Sequence, residues 1–319
     1  MANPILQADG LVKYYKGKRE PALDNLQLKV KPGQIFTLLG RNGAGKTTFL
    51  RIASTELLPT SGRVTIFGKD VVKEAREVRR RIAITPQEAR PLWMLNPLDH
   101  VMLTLMMRGD SHSEAMTKAK KVLNTLELSE FAKMPSQDLS GGLRQRILIA
   151  MCIACDADLL FLDEPTIGLD PLGRRRVWKE LIRLTKEEGK TIVLTTHYMD
   201  EAEAISDELA IVDRGKVLTN GSMADIRSKH LSSKIRVDVS DGFSSDELEA
   251  YGKVTKAGYL SRLFVEEKVA EELSREALRR KAAVAISPIT LDDIFVELVG
   301  SDIEEETVQE MPGGGVMQK

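Results

Sequence analysis

Residues 35–50 read Ile-Phe-Thr-Leu-Leu-Gly-Arg-Asn-Gly-Ala-Gly-Lys-Thr-Thr-Phe-Leu, an apolar run that breaks into glycines and resumes with helical spacing. Gly40, Gly45, Lys46 and Thr47 complete the pattern G-x-x-x-x-G-K-[ST]. Glycines there let backbone N–H groups close around an anion at a helix N-terminus, so Arg41, Asn42, Gly43, Ala44 and Thr48 are expected to share the cradle. Lys46 is placed to reach the β and γ phosphates, and the Thr47 hydroxyl is a hard ligand suited to Mg²⁺. Alone, the loop implies a nucleoside triphosphate and nothing more specific.

Three further groups have types and positions that suit phosphate chemistry. Asp163 and Glu164 end the apolar run 159–162, and two acids at a strand end can divide the work, one facing a cation and the other orienting a water. His197 closes the β-branched run 191–196, at the strand end where α/β sheets place their ligands. Ser140 can cap a helix whose next residues, Gly141 and Gly142, leave N–H groups exposed, which makes a second anion site.

The elements that position these groups read as an α/β chain. Short alternating runs at 5–12, 26–30 and 63–67, punctuated by Pro32-Gly33 and Gly62, predict an antiparallel sheet leading into the nucleotide core. Tyr14 and Tyr15 end the first run, as candidates to stack on a base or as plain surface residues. A strand over 81–86 stops at Gln87, and Asn96, Pro97 and Asp99 give a helix its cap and first turn. Amphipathic helices then dominate residues 88–154, an inserted helical subdomain. Arg174, Arg175 and Arg176 read as a solvated helix face.

At 319 residues the chain has material for about two folding units. Its 46 Lys and Arg nearly balance 47 Asp and Glu, so no global basic field draws it to nucleic acid, and none is expected as partner. Residues 1–10 lack a signal-peptide layout, and the apolar run 147–155 falls short of the roughly 18 residues a membrane span needs. Cys152 and Cys155 share one helix face inside that run; without neighbouring histidines they read as small buried hydrophobes rather than a zinc or redox pair.

Taken together, Gly40 to Thr47, Gln87, Leu139-Ser140-Gly141-Gly142, Asp163-Glu164, Asp170 and His197 resemble the motifs of ATP-binding cassette (ABC) transporter nucleotide-binding subunits, over about residues 5–225. The resemblance implies a P-loop NTPase core with an antiparallel β-subdomain, a cofactor pair of ATP and Mg²⁺, and a role for each motif. Tyr15 would stack on adenine; Lys46 and Thr47 would hold phosphates and metal, with Gln87 and Asp163 also serving Mg²⁺. Glu164 would be the general base and His197 the γ-phosphate contact, while Asp170 would bridge protomers. Ser140, Gly141 and Gly142 would close over ATP held by a second copy, making an ATP-dependent homodimer. One departure is Leu143, where the familiar signature carries glutamine.

Residues 1–230 are assigned to the ATPase domain, and the runs over 231–300 read as a small accessory α+β domain of order β-α-β-β-α-β, a ferredoxin-like unit; residues 301–319 read as a disordered tail. The run Pro288-Ile289-Thr290-Leu291-Asp292-Asp293-Ile294-Phe295, which starts a last helix, and the accessory domain resemble the ATPase subunits of drug-resistance-type exporters, whose membrane permease is a separate polytopic subunit. The expected role is an export motor on the cytoplasmic side of the membrane, for a drug-like, lipid-like or glycan cargo. The alternative is a soluble ATPase of the same superfamily acting on nucleic acid or ribosomes. Trp93, Met94 and Leu95 are candidates for the permease contact or for core packing.

Overall fold

A computed structural model describes residues 3–230, 234–240, 242–257 and 259–309. The chain divides into two compact units, residues 1–222 and 223–319.

The first unit opens with strands β1 (Leu6–Lys13), β2 (Leu23–Val30) and β3 (Ile35–Leu39), then helix α1 (Lys46–Ala53). Strands β4 (Ser61–Ile66) and β5 (Lys69–Asp70), helix α2 (Ala75–Arg81) and strand β6 (Ile82–Thr85) follow. Helices α3 (Pro97–Met107), α4 (His112–Thr125) and α5 (Gly141–Ala154) lead into β7 (Leu159–Asp163), α6 (Pro171–Glu188) and β8 (Thr191–Thr196). Helix α7 (Met199–Ile205) and strands β9 (Glu208–Asp213) and β10 (Lys216–Gly221) complete it.

Burial on both faces explains why β3, β7 and β8 carry almost unbroken apolar or β-branched runs. They lie in a six-stranded sheet of order β10-β9-β3-β8-β7-β6, parallel except for the edge strand β10. Register fixes the site: Leu39 pairs with Thr196 and Asp163 with Thr195, so the glycine loop, the acid pair and His197 all leave the C-terminal ends of neighbouring strands. A separate antiparallel sheet, β2-β1-β4-β5, packs its alternating apolar face on α1 and the central sheet, with Leu6, Leu26 and Val64 in one core with Phe36 and Phe49. The hairpin β9–β10 had no sequence reading. Its two-residue turn, Arg214-Gly215, has positive φ at both positions (43° and 76°), and arginine stands where Asn or Asp would announce such a turn.

Helices α3, α4 and α5 form the inserted bundle around Val101, Leu105, Leu123 and Ile149. Asn96 caps α3 as expected, accepting from Asp99 N at 2.9 Å. Cys152 is buried, its thiol pushed up to about 12 by desolvation, and Cys155 Sγ donates to Met151 O, so both are inert packing residues. Trp93 and Met94 are 72% and 87% exposed, so the core-packing reading fails for both.

The second unit contains α8 (Met223–His230), β11 (Lys234–Val239), α9 (Ser245–Glu249), β12 (Val254–Ala257), β13 (Leu260–Glu266), α10 (Glu267–Arg279), β14 (Val284–Ser287) and α11 (Leu291–Gln309). Its antiparallel sheet runs β12-β13-β11-β14, the ferredoxin-like order for a β-α-β-β-α-β chain, with Val237, Leu248, Leu263 and Leu273 in its core. Helix α8 contacts α11 and belongs here, although the domain break was expected after residue 230. The backbone stays helical to Gln309, contrary to the disordered reading of 301–319; residues 310–319 lie outside the described residues. Among the described residues no helix is long and apolar enough to cross a membrane.

Candidate nucleotide-binding site

The loop between β3 and α1 takes its shape from contacts that only glycine permits. A Cβ on Gly40 would stand 2.2 Å from Val212 O, and one on Gly45, at φ 104°, would stand 2.5 Å from Ala22 O. Gly215 N–H donates to Ala44 O at 3.0 Å, so the hairpin tip braces the loop from behind. Gly45 then serves as N-cap of α1 without a side chain, leaving its first N–H groups aimed outward.

Lys46, the first residue of α1, is almost fully buried. Its Nζ donates to Gly40 O at 2.7 Å and Arg41 O at 3.1 Å, and lies 3.6 Å from Glu164 Oε1. Burial pushes the ammonium below its ordinary range, with the Glu164 and Asp163 carboxylates opposing. Thr47 Oγ1 donates to Asp163 Oδ1 at 3.2 Å and lies 3.5 Å from Gln87 Oε1. Hydroxyl, carboxylate and amide oxygens therefore meet beside the loop, a hard donor set.

Asp163 and Glu164 reach the same cleft, although neighbours on a strand face opposite ways. Glu164 leaves the strand with φ 51°, a left-handed conformation a branched-free side chain adopts at some cost, and this turns it back toward Lys46. Its N–H is held by Thr195 O at 3.2 Å and Thr195 Oγ1 at 3.0 Å. Thr195 Oγ1 also donates to Asp163 Oδ1. Thr195 thus organises both acids, a role hidden in the sequence because threonine there reads simply as a strand former. Burial raises the Asp163 carboxyl, against the Thr195 and Thr47 hydrogen bonds. His197 Nδ1 lies 3.1 Å from Glu164 Oε2, too poorly aligned for a hydrogen bond.

Lys46, Thr47, Glu164 and His197 line a cleft of about 310 Å³ with Asn42, Gly43, Ala44, Thr48 and Gln87, while Asp163 stays buried behind Thr47, to which it is hydrogen-bonded. The Tyr15 hydroxyl lies 3.2 Å from Thr48 Oγ1, the residue stays 38% exposed and Lys13 Nζ stands 5.6 Å from its ring centroid; the Tyr14 N–H is turned to Thr60 Oγ1.

Ser140, Gly141 and Gly142 do not line this cleft. Ser140 is exposed and caps α5, accepting from Leu143 N at 3.3 Å. Gly142 faces the 168–169 turn, and Leu143 packs on the helical core, so the departure at that position serves packing. Asp170 is likewise outside the cleft; it caps α6, accepting from Gly173 N at 2.6 Å.

Comparison with known proteins places this geometry in a family. Residues 23–167 match the ABC transporter domain. The daunorubicin/doxorubicin resistance ATP-binding protein of Streptomyces peucetius is 33% identical over 318 residues, covering 96% of this chain and 95% of that protein. The Nod factor export ATP-binding protein of Cupriavidus metallidurans is 33% identical over 309 residues, 94% of this chain and 99% of its own length. Among solved structures, a dimeric ATP-binding cassette holding ADP and phosphate after hydrolysis superposes with a TM-score of 0.64 at 28% identity, over 68% of this chain and 98% of the other. The chain belongs to the ABC transporter family, as an ATP-binding, ATP-hydrolysing subunit.

Proposed function

We propose that the chain is the motor of an exporter, working as an ATP-bridged homodimer on a separate membrane-spanning permease at the cytoplasmic face of the membrane. The observation that carries this reading is the likeness, through the second unit as well as the first, to proteins named for drug resistance and for Nod factor export. A drug-like, lipid-like or glycan cargo suits those names. Nucleic acid or ribosomes as the target are not favoured, since charge is balanced and the relatives matched over nearly their whole length are named for drug resistance and Nod factor export.

In this reading Tyr15 stacks on adenine, while the backbone of residues 40–48 and Lys46 take the phosphates. Thr47, Gln87 and Asp163 would hold Mg²⁺, whose bound charge offsets that of the β and γ phosphates. The triphosphate draws Lys46 from Gly40 O and from Glu164, freeing Glu164 Oε1. Glu164 then accepts the proton of a water as its oxygen bonds the γ-phosphorus and the bond to the β-phosphate oxygen breaks, yielding ADP and phosphate. His197 contacts the γ-phosphate beside it.

Ser140 to Gly142 serve the partner's ATP, Asp170 lies on the same dimer face, and loss of the γ-phosphate lets the dimer reopen. Exposed Leu92, Trp93 and Met94, just beyond the metal-sensing Gln87, meet the permease. Purification from gently solubilised native membranes tests the reading: a polytopic protein recovered at fixed stoichiometry supports it. Recovery only in the soluble fraction on ribosomes or DNA would overturn it.

A further inference from the structure

Behind the contact between Glu164 and His197 lies a third acid that no role above uses. Glu201 in α7 has no solvent exposure. Its Oε1 accepts from Thr166 Oγ1 and from Trp178 Nε1, each at 2.9 Å, while Oε2 is buried with no hydrogen-bond partner among the described residues. Burial pushes this carboxyl above the usual range, against the hydrogen bonds from Trp178 and Thr166. Sealing an acid away from water is costly, and a packed apolar residue would avoid that cost.

The donors explain what the cost secures. Thr166 follows Glu164 by two residues, Trp178 belongs to α6, the helix that Asp170 caps, and Glu201 itself stands in α7, four residues after His197. The turn after Glu164 starts from a left-handed residue and is also held by its own backbone bonds, Ile167 N to Glu164 O and Leu169 N to Thr166 O, by a bond from Gln145 Nε2 to Pro165 O at 3.1 Å and by the Thr195 contacts to Glu164 N. We propose that Glu201 is a positioning residue for hydrolysis: its Oε1 ties the turn after Glu164 to α6 and to the helix after His197, holding Glu164 and His197 in register. The proposal rests on the reading that these two act on the water and the γ-phosphate.

Steady-state hydrolysis and ATP affinity of the full chain would be measured for E201A, E201Q, T166V, the double variant E201A/T166V, and E164Q. A misplaced reacting group costs up to about 10²-fold, so E201A should lower kcat by about 10- to 100-fold with ATP affinity unchanged. E201Q keeps the acceptor and should restore kcat to within about threefold of the native chain, since an intact hydrogen bond leaves only a small energy difference. T166V should fall like E201A, and the double variant no further, because the two act through one bond. Native kcat in E201A or in T166V would overturn the tie. So would an E201Q that fails as deeply as E201A while affinity drops in step, the mark of a structural role. Should E201A not fold, T166V decides by the same outcomes. Normal turnover in E164Q would instead remove the reading of the centre on which the tie depends.

Discussion

The loop end and the signature end of this chain are built to opposite plans. At the loop, charges are buried and already engaged: Lys46 is bonded to two carbonyls of its own loop and faces Glu164, and Asp163 is held by two hydroxyls. At the N-terminus of α5, Ser140 and Gly141 are exposed and only the cap hydrogen bond is made. One end is finished within the chain and the other is not. In the proposed dimer these N–H groups, open to solvent and outside their own chain's cleft, would be half of an anion site, completed by the loop end of a second copy.

The sharpest way to probe that contrast is to disable each end. Glu164→Gln should reduce hydrolysis by about 10²–10⁴ while ATP still binds and a dimer persists on sizing chromatography. Lys46→Ala should weaken ATP by about 30-fold or more, a buried charge contact being worth about 2–5 kcal/mol; unchanged affinity by titration would end the role of the loop. Gly142→Arg should stop turnover without affecting binding to the single chain. Mixed with the Glu164→Gln chain it should regain up to about a quarter of native single-turnover hydrolysis, since half the random dimers carry one intact composite site. No recovery would mean that the signature does not act across the dimer.

Trp93→Ala tests the outward surface: association with the permease should weaken by about 2 kcal/mol, roughly 30-fold, with intrinsic hydrolysis unaltered. Tyr15→Ala should cost about 0.5–1.5 kcal/mol of ATP affinity, and GTP should lose as much if ring stacking is the whole contribution.

The sequence was most legible where one residue type answers one physical demand. Gly40 and Gly45 are forced by carbonyls 2.2 and 2.5 Å from where a Cβ would stand, and Asn96 and Ser140 cap helices through their own hydroxyl or amide. Parallel strands were readable because burial on both faces leaves little besides apolar and β-branched residues. What stayed hidden depends on partners distant in sequence or on backbone geometry. The left-handed turn at Glu164 converts two opposed carboxylates into neighbours, and nothing in Asp-Glu-Pro spells it. The exposure of Trp93 and Met94 follows from how residues 91–96 lie on the bundle, where Ser136 and Gln137 N–H groups hold the carbonyls of Leu95 and Trp93. Hairpin β9–β10 was obscured by an arginine at a turn position usually held by asparagine.

That hairpin sets the order in which the protein can become competent during synthesis. Strand β3 takes β8 and β9 as its neighbours, Gly40 closes against Val212 O, and the tip residue Gly215 holds Ala44 O from behind while its own carbonyl accepts from Asp24 N. The nucleotide loop is made within the first fifty residues, yet its brace is made more than 150 residues later. A nascent chain that has not passed residue 221 lacks these contacts, so the loop should take up ATP only after that point.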